Sequence, residues 1–287
     1  PKIILLQNLR FHPEEEANDS EFAKHLANYA DLFVNDAFGT CHRKHASTYG
    51  VVKHFGQKNC YVGFLIEKEI DSLNKVIETP KKPFVAVVGG AKISDKIKII
   101  ERLLSSVDQL LIGGAMAYPF LKAQGHEIGK SLCQEQDIKL AKKILSTSAA
   151  QKILLPVDHI TSDGPEGLPN YNDKISIDKD QMGLDIGEKT IQKYRYQLEQ
   201  AATVLWNGPM GLFEQEQFAT GTTSIAQIIS ENTNCFSLVG GGDSVSAINQ
   251  TGLADKISHL STGGGASLEY IEEGSLPGIQ ALKFGVQ

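Results

Sequence analysis

FVAVVGGAKISDKIKII, residues 84–100, decides the fold. The run from Phe84 to Val88 is apolar throughout and too short for a helix. That is the pattern of a strand buried on both faces of a parallel sheet. Gly89 and Gly90 end the run, and the chain then reads as an amphipathic helix. The same unit of strand, turn and helix recurs downstream. Further strands are predicted at QLLI (109–112), KILLP (152–156), TVLW (203–206), FSLV (236–239) and ISHL (257–260). The turns after them are GGAM (113–116), VDHI (157–160), NGPM (207–210), GGGD (240–243) and STGGG (261–265). This alternation predicts an α/β fold with a parallel, doubly wound, Rossmann-like sheet and helices on both faces. Ligands of such sheets bind outside the carboxyl ends of the strands. With GGAK (89–92), five of the six turns there are glycine-rich, so N–H groups and helix N-termini can approach an anion along one crest.

N-terminal to this unit, residues 1–62 carry two predicted parallel strands, Lys2–Gln7 and Asp31–Phe38. Between them SEFAKHLANYA (20–30) reads as a helix with Phe22, Leu26 and Tyr29 on one face. Two strands and a helix make only a partial domain. GFLIEKEIDSLNKVIE (63–78) follows as a long helix, with Leu65, Ile66, Ile70, Leu73 and Ile77 at helical spacing, and TPKKP stops it. The expected organisation is an incomplete N-terminal lobe (1–62), an interdomain helix and linker (63–80), a C-terminal lobe (81–275) and a tail (276–287).

The 287 residues are 41% hydrophobic and 22% charged, an ordinary globular composition, and the length suggests about two domains. A net charge of −6 speaks against a general nucleic-acid binder. No apolar run is long enough for a membrane span. Cys41, Cys60, Cys133 and Cys235 form no C-x-x-C pair, so reduced thiols in a cytoplasmic protein are expected, without a zinc site.

Two phosphate motifs can be tested. GHEIGKS (125–131) resembles a P-loop but has three residues between its glycines where four are needed, and it follows a helix. GGGDSV (240–245) puts Val245 where a dinucleotide fingerprint needs a small residue, which also weakens a dehydrogenase reading. The chemistry therefore falls to side chains. Lys92 and Lys96 stand four residues apart at a helix N-terminus, where cations oppose the dipole unless an anion sits among them. Two solvated lysines are the plain alternative. Asp243 opens another helix, as an N-cap or as a carboxylate for Mg²⁺ beside a polyphosphate. No catalytic triad or H-E-x-x-H helix is visible. Positioning and charge stabilisation without a covalent intermediate is what phosphoryl transfer requires.

At these residues the sequence resembles the phosphoglycerate kinase family. LLQNLRFHPEEEAND, VNDAFGTCHRKHAST, VVGGAKISDKI, LWNGPMGLFE, VGGGDS and STGGGASLE occur in the family's order and cover essentially the whole chain. The resemblance implies a hinged, two-lobed, monomeric cytoplasmic kinase of glycolysis. Its reaction would be reversible phosphoryl transfer from 1,3-bisphosphoglycerate to MgADP, giving 3-phosphoglycerate and MgATP. It assigns Arg10 and Arg43 to the three-carbon substrate, with His42 and His45 supporting. Lys96 is assigned to the nucleotide phosphates and Lys92 to the phosphoryl group in flight. Glu214 would meet the ribose, Gly183 the adenine, and Asn207, Gly241, Gly242 and Ser244 the phosphates, with Asp243 on Mg²⁺. Gly263, Gly264 and Gly265 would open a helix toward the transferring group. The C-terminal tail would return to the N-terminal lobe. Trp206 is expected to be core.

The match begins about a quarter of the way into the family's chain, without its early Asp-x-Asn and His-x-Gly-Arg segments. On this reading the chain alone binds MgADP or MgATP and turns over poorly. Two readings stay open: a segment of an active kinase, or a truncated nucleotide-binding or interaction module.

Overall fold

The computed structural model describes residues 3–286, and the chain divides into two compact units. The first comprises the residues up to Leu73 together with those from Thr262 onward; the second runs from Asn74 to Ser261. The sequence reading had kept residues up to 275 with the second lobe, whereas the glycine turn 262–265 and the helix after it belong to the first unit.

The first unit opens with α1 (Pro13–Glu16) and α2 (Ser20–Ala27), then β1 (Phe33–Asn35), α3 (Val52–Phe55), β2 (Cys60–Val62) and α4 (Phe64–Ile77). Asp19 caps α2 by accepting from the Phe22 N–H at 2.8 Å. The buried face of α2 is Ala23 and Ala27; Tyr29, expected on it, lies past the helix end and is exposed. β1 pairs in parallel with β2, a strand too short and mixed to be read from sequence. The strand expected over Lys2–Gln7 does not form. Lys2 lies outside the described residues, and Ile3, Ile4, Leu5 and Leu6 are exposed and outside any strand. A strand exists only by pairing, and the one partner of β1 is β2 among the described residues. In α4 the buried stripe is Ile66, Glu69, Leu73 and Val76, so the expected face is rotated away from Leu65. Asp36 starts this helix by accepting from Leu65 and Ile66 N–H groups at 2.7 and 3.1 Å.

The second unit carries β3 (Phe84–Val88), α5 (Ile97–Leu104), β4 (Gln109–Ile112), α6 (Ala117–Ala123), α7 (Glu135–Leu145), β5 (Ile153–Leu154), β6 (His159–Ser162), β7 (Asn170–Asn172) and β8 (Met182–Ile186). α8 (Glu188–Glu199), β9 (Thr203–Asn207), α9 (Thr220–Glu231), β10 (Phe236–Gly240), α10 (Gly242–Thr251) and β11 (His259–Leu260) complete it. The main sheet is parallel throughout, in the order β11-β10-β9-β3-β4-β5. All five residues of β3 are buried, because it has strands on both sides and helices on both faces. The chain order reverses between β3 and β9, which makes their carboxyl ends the switch point where doubly wound sheets bind ligands. The VDHI stretch, read as a turn, instead enters β6, which joins β7 and β8 in a small antiparallel sheet. Trp206 is fully buried, and its Nε1–H donates to the Gly208 carbonyl at 2.7 Å.

The last segment returns to the first unit as α11 (Gly265–Glu273) and α12 (Pro277–Phe284). Ala281 and Leu282 of α12 pack with Tyr49, Val51, Val52 and Cys60. The four cysteines are free thiols. Among the described residues no helix is long and apolar enough to cross a membrane.

Candidate active site

At the switch point the loops after β3 and β9 cross in contact. The Gly89 N–H donates to the Asn207 carbonyl at 2.9 Å and the Gly90 N–H to the Pro209 carbonyl at 3.1 Å. Glycines permit such close backbone approach. Lys96 reaches back into this crossing from the start of α5. Its Nζ donates to the Gly89 carbonyl at 2.8 Å and the Asn207 carbonyl at 3.3 Å. Burial pulls its pKa down from 10.5 to about 8, and the nearby Asp243 and Asp95 carboxylates offset part of that. Lys92, one turn earlier, is exposed.

Asn207 is buried at the end of β9. Its Nδ2 donates to the Gly240 carbonyl at 2.7 Å, while its Oδ1 is buried without a hydrogen-bond partner. An unsatisfied buried amide oxygen costs about 1–3 kcal/mol. Ser244, in the first turn of α10, is buried, and its Oγ accepts from the Gly208 N–H at 2.6 Å. That bond ties the β9 loop to the N-terminus of α10, where Gly241, Gly242 and Asp243 stand. Asp243 is exposed at the cleft.

From this crossing a cleft of about 480 Å³ runs toward the small sheet. Gly90, Asp243 and Glu214 line it, and Tyr118, Leu132, Met182, Gly183 and Leu184 give it apolar walls. A Cβ on Gly183 would lie 2.1 Å from the Tyr118 hydroxyl oxygen, so only glycine fits beside that ring. Behind the wall, Asp185 is buried and accepts from the Gly221 N–H at 2.6 Å and the Ile186 N–H at 2.9 Å. Burial pushes its carboxyl up to about 8, with the two N–H bonds acting against the shift.

The first unit holds the remaining expected residues. Arg10 and Arg43 are exposed, and the Arg43 Nε–H donates to His42 Nε2 at 3.3 Å. The α11 N-terminus lies on the same side, since a Cβ on Gly265 would stand 3.8 Å from His42 Nε2. Gly263 packs against Phe38, and the N–H and hydroxyl of the preceding Thr262 donate to buried Glu69 at 2.7 and 2.8 Å. His45 is buried, with Nδ1 4.0 Å from the Glu15 carboxylate.

The structure thus places Glu214, Gly183 and Asp243 in the lining of one cleft, with Lys96, Asn207 and Ser244 in the loop crossing beside it, and sets Arg10, Arg43 and Gly263–Gly265 in the other unit. Sequence reasoning missed Tyr118, Leu132 and Asp185, which carry no motif and meet only through tertiary packing.

Fold and site together define an α/β protein of the doubly wound class with its cleft at the switch point. Comparison with known proteins narrows the class. The family model described as phosphoglycerate kinase matches residues 1–274. The phosphoglycerate kinase of Acidobacterium capsulatum is 50% identical over 286 residues, covering 98% of this chain and 70% of that protein. That of Koribacter versatilis is 52% identical over 284 residues, 97% of this chain and 70% of its own. The solved phosphoglycerate kinase of Coxiella burnetii superposes with a TM-score of 0.90 at 41% identity, covering 98% of this chain and 72% of that one. The chain belongs to the phosphoglycerate kinase family. Its activity is that of a glycolytic kinase, reversible phosphoryl transfer from 1,3-bisphosphoglycerate to MgADP, and the reading as a non-catalytic module is not favoured.

ATP or ADP with Mg²⁺ is the family's co-substrate. The residues present fit it. The Lys96 ammonium would meet phosphate oxygens at the switch point, Asn207 Oδ1 would accept from a donor or cation carried with them, and Gly183 leaves an apolar slot beside Tyr118. Asp243 would supply one carboxylate to a cation that takes its other ligands from phosphate and water.

Proposed function

We propose that the cleft of the second unit holds MgADP or MgATP with the following division of roles. Lys96, Asn207, Gly241, Gly242 and Ser244 bind the phosphates, and Asp243 takes Mg²⁺. Lys92 meets the phosphoryl group in transit, Glu214 holds the ribose hydroxyls, and Gly183 borders the adenine. The first unit binds the three-carbon acid on Arg10 and Arg43, whose planar forks suit carboxylate and phosphate oxygens. The N–H groups of Gly263, Gly264 and Gly265 would meet charge developing on the transferred group. In the forward direction ADP attacks the acyl phosphate, and a carboxylate leaves. Neither group needs a proton removed near pH 7, so the side chains position and neutralise charge.

The observation that carries this reading is the pairing at the switch point: a lysine held at a depressed pKa beside a buried, unpartnered Asn207 oxygen. Phosphate oxygens would offset the lysine's cost, and a donor or cation carried with them the amide oxygen's, since Asn207 Oδ1 only accepts. The first unit then forms the phosphoglycerate side and the second the nucleotide side. The acidic balance suits a cytoplasmic monomer without nucleic-acid or membrane partners.

Calorimetric titration tests the division. Lys96→Ala is expected to weaken MgADP about 10- to 100-fold, the range for a lost charge-assisted bond, and leave 3-phosphoglycerate binding intact. Arg43→Ala is expected to do the reverse. Substitutions that weaken both ligands alike, or neither, would overturn it.

A further inference from the structure

GHEIGKS, rejected above as a P-loop, turns out to run beside the cleft. Its backbone is stitched to the segment that leads into β8. The Ile177 N–H donates to the Glu127 carbonyl at 2.8 Å, and the Lys130 N–H to the Gln181 carbonyl at 2.7 Å. Gly129 makes this possible, since a Cβ there would lie 2.1 Å from the Gln181 oxygen. At the end of the motif, buried Ser131 accepts on its Oγ from the Gly183 N–H at 2.9 Å. The next residue, Leu132, lines the cleft itself.

A few residues further on, Asp137 stands in the first turn of α7. Only 2% exposed, its Oδ1 accepts from the Ser94 N–H at 3.1 Å. Ser94 lies midway between Lys92 and Lys96. A buried carboxylate is costly unless its hydrogen bonds are made. Here it fixes the loop that enters α5, a place where the lysines oppose the helix dipole and a negative group complements it.

We propose that Ser131 and Asp137 are positioning residues of the nucleotide cleft, one at each end. Ser131 sets the glycine strand bordering the base, and Asp137 sets the lysine loop at the phosphates. A single short segment thereby holds the two ends at a fixed separation matched to a nucleoside polyphosphate. The inference rests on the nucleotide reading of the cleft.

Adenosine and MgADP, titrated calorimetrically into each variant, separate the two ends. Ser131→Ala is expected to weaken both ligands about 10-fold, since both need the base slot. Asp137→Ala is expected to weaken MgADP by a similar factor and leave adenosine unchanged. Asp137→Asn keeps an acceptor oxygen and is expected to restore MgADP to within about 3-fold. For Asp137 a purely structural role would lower the melting temperature and move both ligands together, which overturns the proposal, as does an Asp137→Ala or a Ser131→Ala variant that binds both normally. If alanine prevents folding, Asp137→Ser, too short to reach Ser94, is measured instead against the same criteria. Lys96→Ala is the control. If it leaves MgADP unchanged, the nucleotide reading falls and this proposal with it. If it weakens MgADP while Asp137→Ala leaves MgADP unchanged, only the positioning role is lost.

Discussion

Lys96 is charged below about pH 8 and neutral above it, because burial at the β3–β9 crossing disfavours the ammonium. If nucleotide phosphates require the ammonium, the apparent Kd is the intrinsic value divided by the charged fraction. With a pKa of about 8 that fraction falls from nearly all at pH 7 to about one tenth at pH 9, so MgADP binding should weaken about 10-fold over the interval. A lysine at 10.5 would weaken it by only a few per cent. Stability should move the opposite way. Above pH 8 the unfolded chain binds the proton that the native lysine has shed, so this group's contribution to unfolding free energy rises with pH up to about 10.5. Weaker binding without weaker folding therefore separates lysine titration from alkaline damage. The assay is calorimetry with MgADP from pH 7 to 9.5, paired with urea unfolding in the same buffers. Lys96→Arg, which keeps its charge throughout, should flatten the binding profile. Asp243→Asn removes a charge that raises the lysine pKa and should move the onset to lower pH. A wild-type affinity that stays level to pH 9.5 would refute the reasoning.

Two further outcomes are expected. Gly183→Ala puts a methyl group 2.1 Å from the Tyr118 oxygen inside a packed wall. It should cost about 1–3 kcal/mol in urea unfolding and weaken adenosine, with partial recovery on adding Tyr118→Phe; undiminished adenosine binding would place the base elsewhere. Asp185, raised to about 8, keeps a proton that the unfolded chain releases near pH 4, so stability should decline between pH 4 and 8 by up to about 1.4 kcal/mol per unit. Asp185→Asn should remove that slope whatever its absolute stability, and an unchanged slope would assign the titration to another group.

The second unit was legible in the sequence because burial on both faces writes a strand as an unbroken apolar run. Phe84–Val88 and Thr203–Asn207 could be read with their glycine turns, and those turns led to Lys96, Asn207 and Asp243. Ile3–Leu6 shows the limit of the same signal, since a run suited to a buried strand is exposed without a partner beside it. Pairing is a non-local property. The antiparallel strands β6–β8 are short and mixed, and nothing in VDHI distinguishes a turn from a strand. Asp137 and Ser131 were invisible for a related reason. Each is an ordinary polar residue until the fold brings it to Ser94 or Gly183, 43 and 52 residues away.

The first unit is assembled from two stretches that are far apart in the chain. During synthesis, residues up to Leu73 emerge early, yet one wall of their core is Ala281 and Leu282. Contiguous segments can fold as they leave the ribosome. Residues 74–261 meet that condition, and the first unit does not. Its early residues lack that part of their core until α12 has been made. A ribosome stalled before α12 would thus carry the contiguous second unit complete and the first unit without Ala281 and Leu282 in its core. Completion of the first unit is tied to the last helix of this sequence.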